Sequence, residues 1–151
     1  MRYAEIITET APKLPLPALP KIGETPFWVR PLAAMTRQNG LGNWSAGGCF
    51  AFADTLSAVY RGQRWGVCSL DDEGEYPVEH AMAKIGGVFY DFRGAWSDPL
   101  VSIKSKRKLY LRPASDPLVF WFEDEWLGDD DFAVLEHVLR TGKLPRKSRS
   151  S

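Results

Sequence analysis

No apolar run in this chain approaches the roughly 20 residues that a membrane-spanning helix needs. Met1 to Thr10 lacks a signal-peptide layout, because acids and threonines interrupt any apolar stretch. The expectation is a cytoplasmic protein with no membrane partner. Cysteine is scarce, with only Cys49 and Cys68, and so is histidine, with only His80 and His137. Two thiols without an export signal are expected to stay reduced. There is no CxxC, no HExxH and no His/Cys cluster at ligand spacing, so neither a metal nor a cofactor is expected. Excess charge is missing too, since 19 basic residues balance 19 acidic ones. A dedicated nucleic-acid binder usually carries a basic surplus, so this balance argues against that class. Internal repeats are absent.

What the chain does hold is enough apolar material for one domain. It has 151 residues, 44% of them hydrophobic, with six tryptophans. Five prolines (Pro12, Pro15, Pro17, Pro20 and Pro26) keep the first stretch extended and non-helical. This divides the chain into a proline-rich arm over 1–26, a single α+β domain over 27–145 and a basic, Ser-rich tail over 146–151. Charge is segregated locally. Lys104 to Arg112 carries five Lys/Arg and no acid, while Glu123 to Asp131 is strongly acidic. The basic stretch reads as a solvated edge strand, because Lys blunts edges against aggregation.

Within the domain, Phe27 to Met35 starts the fold, and Gln38 to Asn43 is turn chemistry. Apolar residues dominate Cys49 to Tyr60, with Phe50, Ala53, Leu56 and Tyr60 at helical spacing and Gly62 marking the end. Strands are expected at Trp65–Leu70, Leu109–Arg112 and Leu118–Phe122, and a helix at Phe132–Arg140 capped by Asp129 to Asp131. Between them, Glu79–Ile85 and Val88–Arg93 flank Gly86-Gly87, a strong two-residue hairpin signal. In that register Ile85 faces Val88, Ala83 faces Tyr90 and Ala81 faces Phe92, an apolar core face. The opposite, non-core face then carries His80 and Asp91 as a diagonal cross-strand pair. On that face Arg93 and Lys84 are alternative partners for Asp91.

The hairpin pair gains meaning from Cys49. Gly47-Gly48 delivers this cysteine to the first turn of an apolar helix, where unpaired amides and the helix dipole favour a thiolate. A thiol nucleophile needs a base, an orienter for that base, and donors for the oxyanion. Cys49, His80 and Asp91 can fill the first three roles. The Cys49 amide, with a side-chain amide from Asn43 or Gln38, can supply the donors. Trp44 and Trp96 are the candidate walls of a substrate groove. Cys68, inside an apolar strand, reads as a small buried hydrophobe.

A Gly-Gly-Cys loop entering an apolar helix, then His80-Ala81-Met82-Ala83 opening a strand, then a Gly turn and Phe89-Tyr90-Asp91, resembles the papain-like cysteine peptidase superfamily in its broad sense. That group includes NlpC-type cell-wall peptidases, transglutaminase-like proteins and arylamine acetyltransferases. The resemblance covers about residues 38–96. It implies a papain-like α+β fold, with the cysteine helix packed on an antiparallel sheet. It also implies Cys49 as nucleophile, His80 as base, Asp91 as orienter, and a peptide or protein substrate. Papain-type enzymes place an oxyanion Gln six residues before the nucleophile. Here that position is Asn43, and Gln38 lies eleven before. The competing expectation is a non-enzymatic protein-binding module or inhibitor on the same scaffold, suggested by the aromatic richness, the proline arm and the split charge.

Overall fold

The computed structural model describes residues 15–39, 44, 48–121 and 127–146. Among the described residues, three helices, Val29–Asn39 (α1), Cys49–Tyr60 (α2) and Asp129–Thr141 (α3), accompany six strands. The strands are Gln63–Cys68 (β1), Tyr76–Ile85 (β2), Val88–Asp91 (β3), Gly94–Trp96 (β4), Tyr110–Pro113 (β5) and Val119–Phe120 (β6). Five of them form an antiparallel sheet in the order β4-β3-β2-β1-β5. β6 pairs in parallel with the first residues of β2. The chain is thus α+β, with α2 lying across the sheet and its main contacts on β2. The basic stretch leads into β5, which is an edge strand of that sheet.

Local chemistry accounts for most element boundaries. Gly86 and Gly87 both adopt left-handed φ, 59° and 83°, as a tight hairpin turn requires. The register Ile85↔Val88 and Ala83↔Tyr90 follows. α1 begins just after Pro26 and holds Pro31 in its first turn, where a missing N–H has no helical partner to lose. It runs on through Gln38 and Asn39, residues that sequence chemistry assigned to a turn. α3 starts at Asp129, three residues before the expected Phe132. Gly128 is the N-cap and Asp129 to Asp131 form the first turn, with Asp131 Oδ2 accepting from the Gly128 amide at 3.4 Å. Acids there complement the helix dipole.

α2 departs from a simple amphipathic helix. It buries Cys49, Ala51, Phe52, Ala53, Thr55, Leu56, Ser57 and Val59, which together span nearly its whole circumference. One side meets the sheet through Ala83 and Tyr90. The other meets Leu135, Val138 and Leu139 of α3, and Leu32 and Met35 of α1 belong to the same core. Phe50 and Tyr60 are only partly buried; Phe50 packs edge-on against Trp121 and Tyr60 lies against the main core. The described part of the proline arm is tied down here as well. The Tyr60 hydroxyl donates to the Pro17 carbonyl at 2.7 Å, and Leu19 packs on the core.

The hairpin face expected to lie outside the core is itself buried. Val67, Met82 and Phe89 cluster there beneath Trp65, Trp96, Ile103, Leu109 and Leu111. Ile103 and Leu109 come from the segment between β4 and β5, which folds back over the sheet. Alternation alone cannot reveal this second layer, because a sheet covered on both faces need not alternate.

Gly62 ends α2 in an unexpected way. The left-handed C-cap conformation falls on Arg61, φ 57°, while Gly62 meets a packing limit. A Cβ at Gly62 would lie 2.5 Å from Ile85 Cγ1 and 2.6 Å from the Lys84 carbonyl oxygen. Lys84 pairs with Gln63 in the β1–β2 ladder, so that oxygen is not free to move. Gly62→Ala is expected to cost about 1–3 kcal/mol, typical of overpacking. Urea denaturation checks this, and an unchanged midpoint would contradict the packing argument.

Candidate active site

Three local motifs bring Cys49, His80 and Asp91 together. The first is the start of α2. Its N-cap, Gly48, has no side chain to occupy the first-turn amides, and Cys49 is the first helical residue. Cys49 is 5% exposed and packs with Ala53, Cys68, Val78 and Ala81. The second motif is a bulge in β2. Val67 pairs with His80 but Cys68 pairs with Val78, so Glu79 is a surplus residue in the ladder. The bulge shifts the side-chain alternation. Val78 and Ala81, three residues apart, therefore both reach the cysteine's cluster, and Glu79 turns outward. The Glu79 carboxylate accepts from Ser69 Oγ at 2.6 Å and has Arg107 Nη1 at 3.6 Å.

The third motif is the turn from β3 into β4. Asp91 Oδ1 accepts from the amides of Arg93, at 2.9 Å, and Gly94, at 3.2 Å. Gly94 takes φ 140°, a conformation that side-chain-bearing residues rarely adopt. The reversal sets Trp96 beside Phe89 on β3 and points its indole N–H at Asp91 Oδ1, 2.9 Å away. Oδ2 receives His80 Nε2 at 2.8 Å and Arg93 Nη2 at 2.9 Å. Two oxygens thus accept five donors, which saturates the carboxylate.

His80 and Asp91 are 1% and 2% exposed, so this is a buried ion pair and not a surface one. The His80 ring hydrogen-bonds Asp91 through Nε2, and the Cys49 thiol is near enough to add to the shift in its pKa. Burial alone would push the imidazole below its ordinary value. The Asp91 hydrogen bond and the influence of Cys49 outweigh burial and raise His80 to about 9. Burial would likewise raise Asp91, but hydrogen bonds from His80 and Trp96, with the His80 and Arg93 charges, hold it below the usual carboxylate value. Cys68 carries no such partners, and burial pushes its thiol up to about 11. The second thiol is therefore a buried hydrophobe, as its strand position suggests.

The remaining expected residues fall in different places. Trp96 holds the carboxylate and also lines a cavity of about 750 Å³, together with Pro26, Val29, Phe92, Arg93 and Val101. Neither Cys49 nor His80 lines that cavity. Its wall carries Arg93 together with Glu24 and Asp98, a mixed charge set that selects no one kind of occupant. Trp44 is a core residue and not a groove wall. It is 3% exposed and its indole N–H donates to the Leu32 carbonyl at 3.1 Å. Gln38 lies in the last turn of α1, and Asn43 lies outside the described residues. Lys84, an alternative partner for Asp91, instead sits over the rings of Trp65 and Phe89. Arg93, the other alternative, joins His80 on Oδ2 without displacing it. Among the described residues no group of three or more His, Cys, Asp or Glu could hold a metal ion, and no helix could cross a membrane.

Sequence reading named Arg93 as a rival partner of Asp91 but missed that it would share the carboxylate with His80, and it missed Trp96 as a donor. The available signal was the Asp91-Phe92-Arg93-Gly94 turn, which folds the next residues back onto the carboxylate. Comparison with protein-family models, characterised proteins and solved structures returns no match.

The pair makes stability depend on pH in a defined direction. His80 is raised above its unfolded value of about 6.5, so its contribution is complete below that pH and is lost as pH rises through about 9. Asp91 is lowered, so its contribution is present above about 3.9 and lost as pH falls through the depressed value. Urea unfolding between pH 6.5 and 9 is expected to show a decline that Asp91→Asn flattens. Parallel declines in parent and variant would show that the pair is not its source. Asp91→Ala, which leaves a buried imidazolium unpaired, is expected to cost about 3–5 kcal/mol.

Proposed function

We propose that this chain is a thiol-dependent hydrolase, a peptidase or amidase, working through Cys49, His80 and Asp91 on a papain-like scaffold. The observation that carries this reading is a buried imidazole hydrogen-bonded to a carboxylate, with the thiol of a helix's first residue near enough to raise its pKa. The chain order supports it too. A cysteine helix, then a histidine strand, then an aspartate on the adjacent strand is the papain-like arrangement.

In this reading Cys49 Sγ–H gives up its proton to His80 Nδ1. Sulfur attacks the substrate carbonyl carbon. A C–S bond forms and the carbonyl electron pair moves onto oxygen. The Cys49 amide, with Asn43 or Gln38, stabilises that oxyanion. As the tetrahedral adduct collapses, the C–N bond breaks and Nδ1–H protonates the departing amine. The neutral imidazole then takes a proton from water, which attacks the thioester. The C–S bond breaks and the acid product leaves. Asp91 keeps the tautomer that places the mobile proton on Nδ1, because Nε2–H is committed to its own Oδ2.

The reading makes a kinetic prediction. At pH 6 a free cysteine is almost wholly protonated, whereas a thiolate paired with imidazolium still reacts. Iodoacetamide is expected to label Cys49 at least about tenfold faster than free cysteine at that pH. His80→Ala should abolish the advantage, and Cys68 should stay unlabelled. A Cys49 rate that follows free cysteine across pH would sink the hydrolase reading. It would favour the second reading, a protein-binding module or inhibitor, which draws support from the cavity lying away from Cys49.

A further inference from the structure

We infer that Arg93 and Trp96 are positioning residues, which hold the Asp91 carboxylate on His80 so that the imidazole presents its other nitrogen to Cys49. The inference deepens the triad reading above and rests on it. An aspartate χ2 torsion is broad, so a carboxylate held only by one imidazole would rotate between many orientations. Here Trp96 Nε1 fixes Oδ1 at 2.9 Å, and Arg93 Nη2 fixes Oδ2 at 2.9 Å. Each oxygen therefore has its own side-chain donor, drawn from a different residue, and the plane of the carboxylate is set.

The two donors are themselves braced. Arg93 Nη2 also donates to the Ser102 carbonyl at 2.6 Å, and the guanidinium lies over the Trp96 ring at 4.9 Å. Ser102 is 4% exposed, and its Oγ donates to the Pro99 carbonyl at 2.6 Å, locking the turn that supplies the acceptor. A chain of contacts thus runs from the Pro99–Val101 turn through Ser102, Arg93 and Asp91 to His80. Arg93 is 42% exposed while the carboxylate it holds is 2% exposed, so a surface side chain governs a buried group.

Charge and geometry predict opposite outcomes, which makes the inference sharp. If Arg93 acted only through its charge, removing it would raise the His80 pKa, because a nearby cation disfavours imidazolium. If Trp96 only packed, losing its N–H would free a lone pair on Asp91 and leave His80 unchanged or raised. If both position the carboxylate, removing either loosens the Asp91–His80 bond, and the His80 pKa falls.

The full chain has only two histidines, so selective ¹⁵N-histidine labelling gives two imidazole titrations, with exposed His137 as the internal reference. Trp96→Phe, Arg93→Lys and Arg93→Met are each expected to lower the His80 pKa by about one unit. They should also slow iodoacetamide labelling of Cys49 at pH 8.5 by about threefold, because a one-unit fall takes the protonated fraction of His80 there from about three quarters to about one quarter. A His80 titration unchanged or raised in Trp96→Phe and Arg93→Lys overturns the inference. Both variants keep the stacked ring or the charge, so they decide the question even where Arg93→Met does not fold. The two readings fail separately. A lowered His80 pKa beside a parent Cys49 no more reactive than free cysteine overturns the nucleophile and leaves positioning standing. A reactive Cys49 with an unmoved His80 overturns positioning alone.

Discussion

A carboxylate and an imidazole, both almost fully withdrawn from water and 2.8 Å apart, are the constraint around which this structure is organised. Burying one such ion alone costs several kcal/mol. The fold meets that cost by leaving neither partner short of hydrogen bonds. Asp91 takes five donors, three from one short turn and one each from Trp96 on β4 and His80 on β2. His80 spends one nitrogen on it, with Cys49 close enough to act on the same ring. Remove the turn, and the carboxylate loses three of its donors together with the path that carries Trp96 to it. The two-sided burial of the sheet has the same root, since an ion pair open to water would be screened and weak.

Cys49 depends on that pair but reaches it by a separate route. Its helix is held between the sheet and α3, so the start of α2 has little freedom relative to β2. The sulfur sits among small neighbours, Ala53, Val78 and Ala81, which let the helix approach the strand closely. Gly62 extends this close fit to the other end of α2. The thiol is thus held at His80 by packing, whereas the imidazole is held at Asp91 by hydrogen bonds.

Much of this was legible in the sequence, and the parts that were not share a cause. Hairpin parity brought His80 and Asp91 to one face because a two-residue glycine turn fixes register locally. The glycine before Cys49 announced a helix start for the same local reason. Burial of that hairpin face was not legible, because the residues that cover it, Ile103 and Leu109, lie in an irregular segment with no periodicity. Nor was the bulge, since nothing in Tyr76 to Ile85 marks Glu79 as surplus until β1 is laid beside it. Trp44 and Trp96 look alike in sequence. One ended in the core and the other on the carboxylate, a difference set by tertiary context alone. Arg93 looked like a rival to His80 because pair counting treats an oxygen as taken once it is occupied. A carboxylate oxygen has two lone pairs, and here both cations share one.

The bulge makes β2 two ladders spliced at a single residue. Before Glu79, Tyr76 and Pro77 answer to β6 and Val78 to Cys68; after it, the strand answers to β1 and β3. The splice works like a clutch between two phases of the same strand. Gain or loss of a residue upstream can be absorbed at the splice without turning the imidazole. Downstream there is no such slack, and one added residue would swing His80 to the opposite face of the sheet from Asp91. A length change in β2 therefore leaves the His80–Asp91 pair facing one another on one side of Glu79 and parts them on the other.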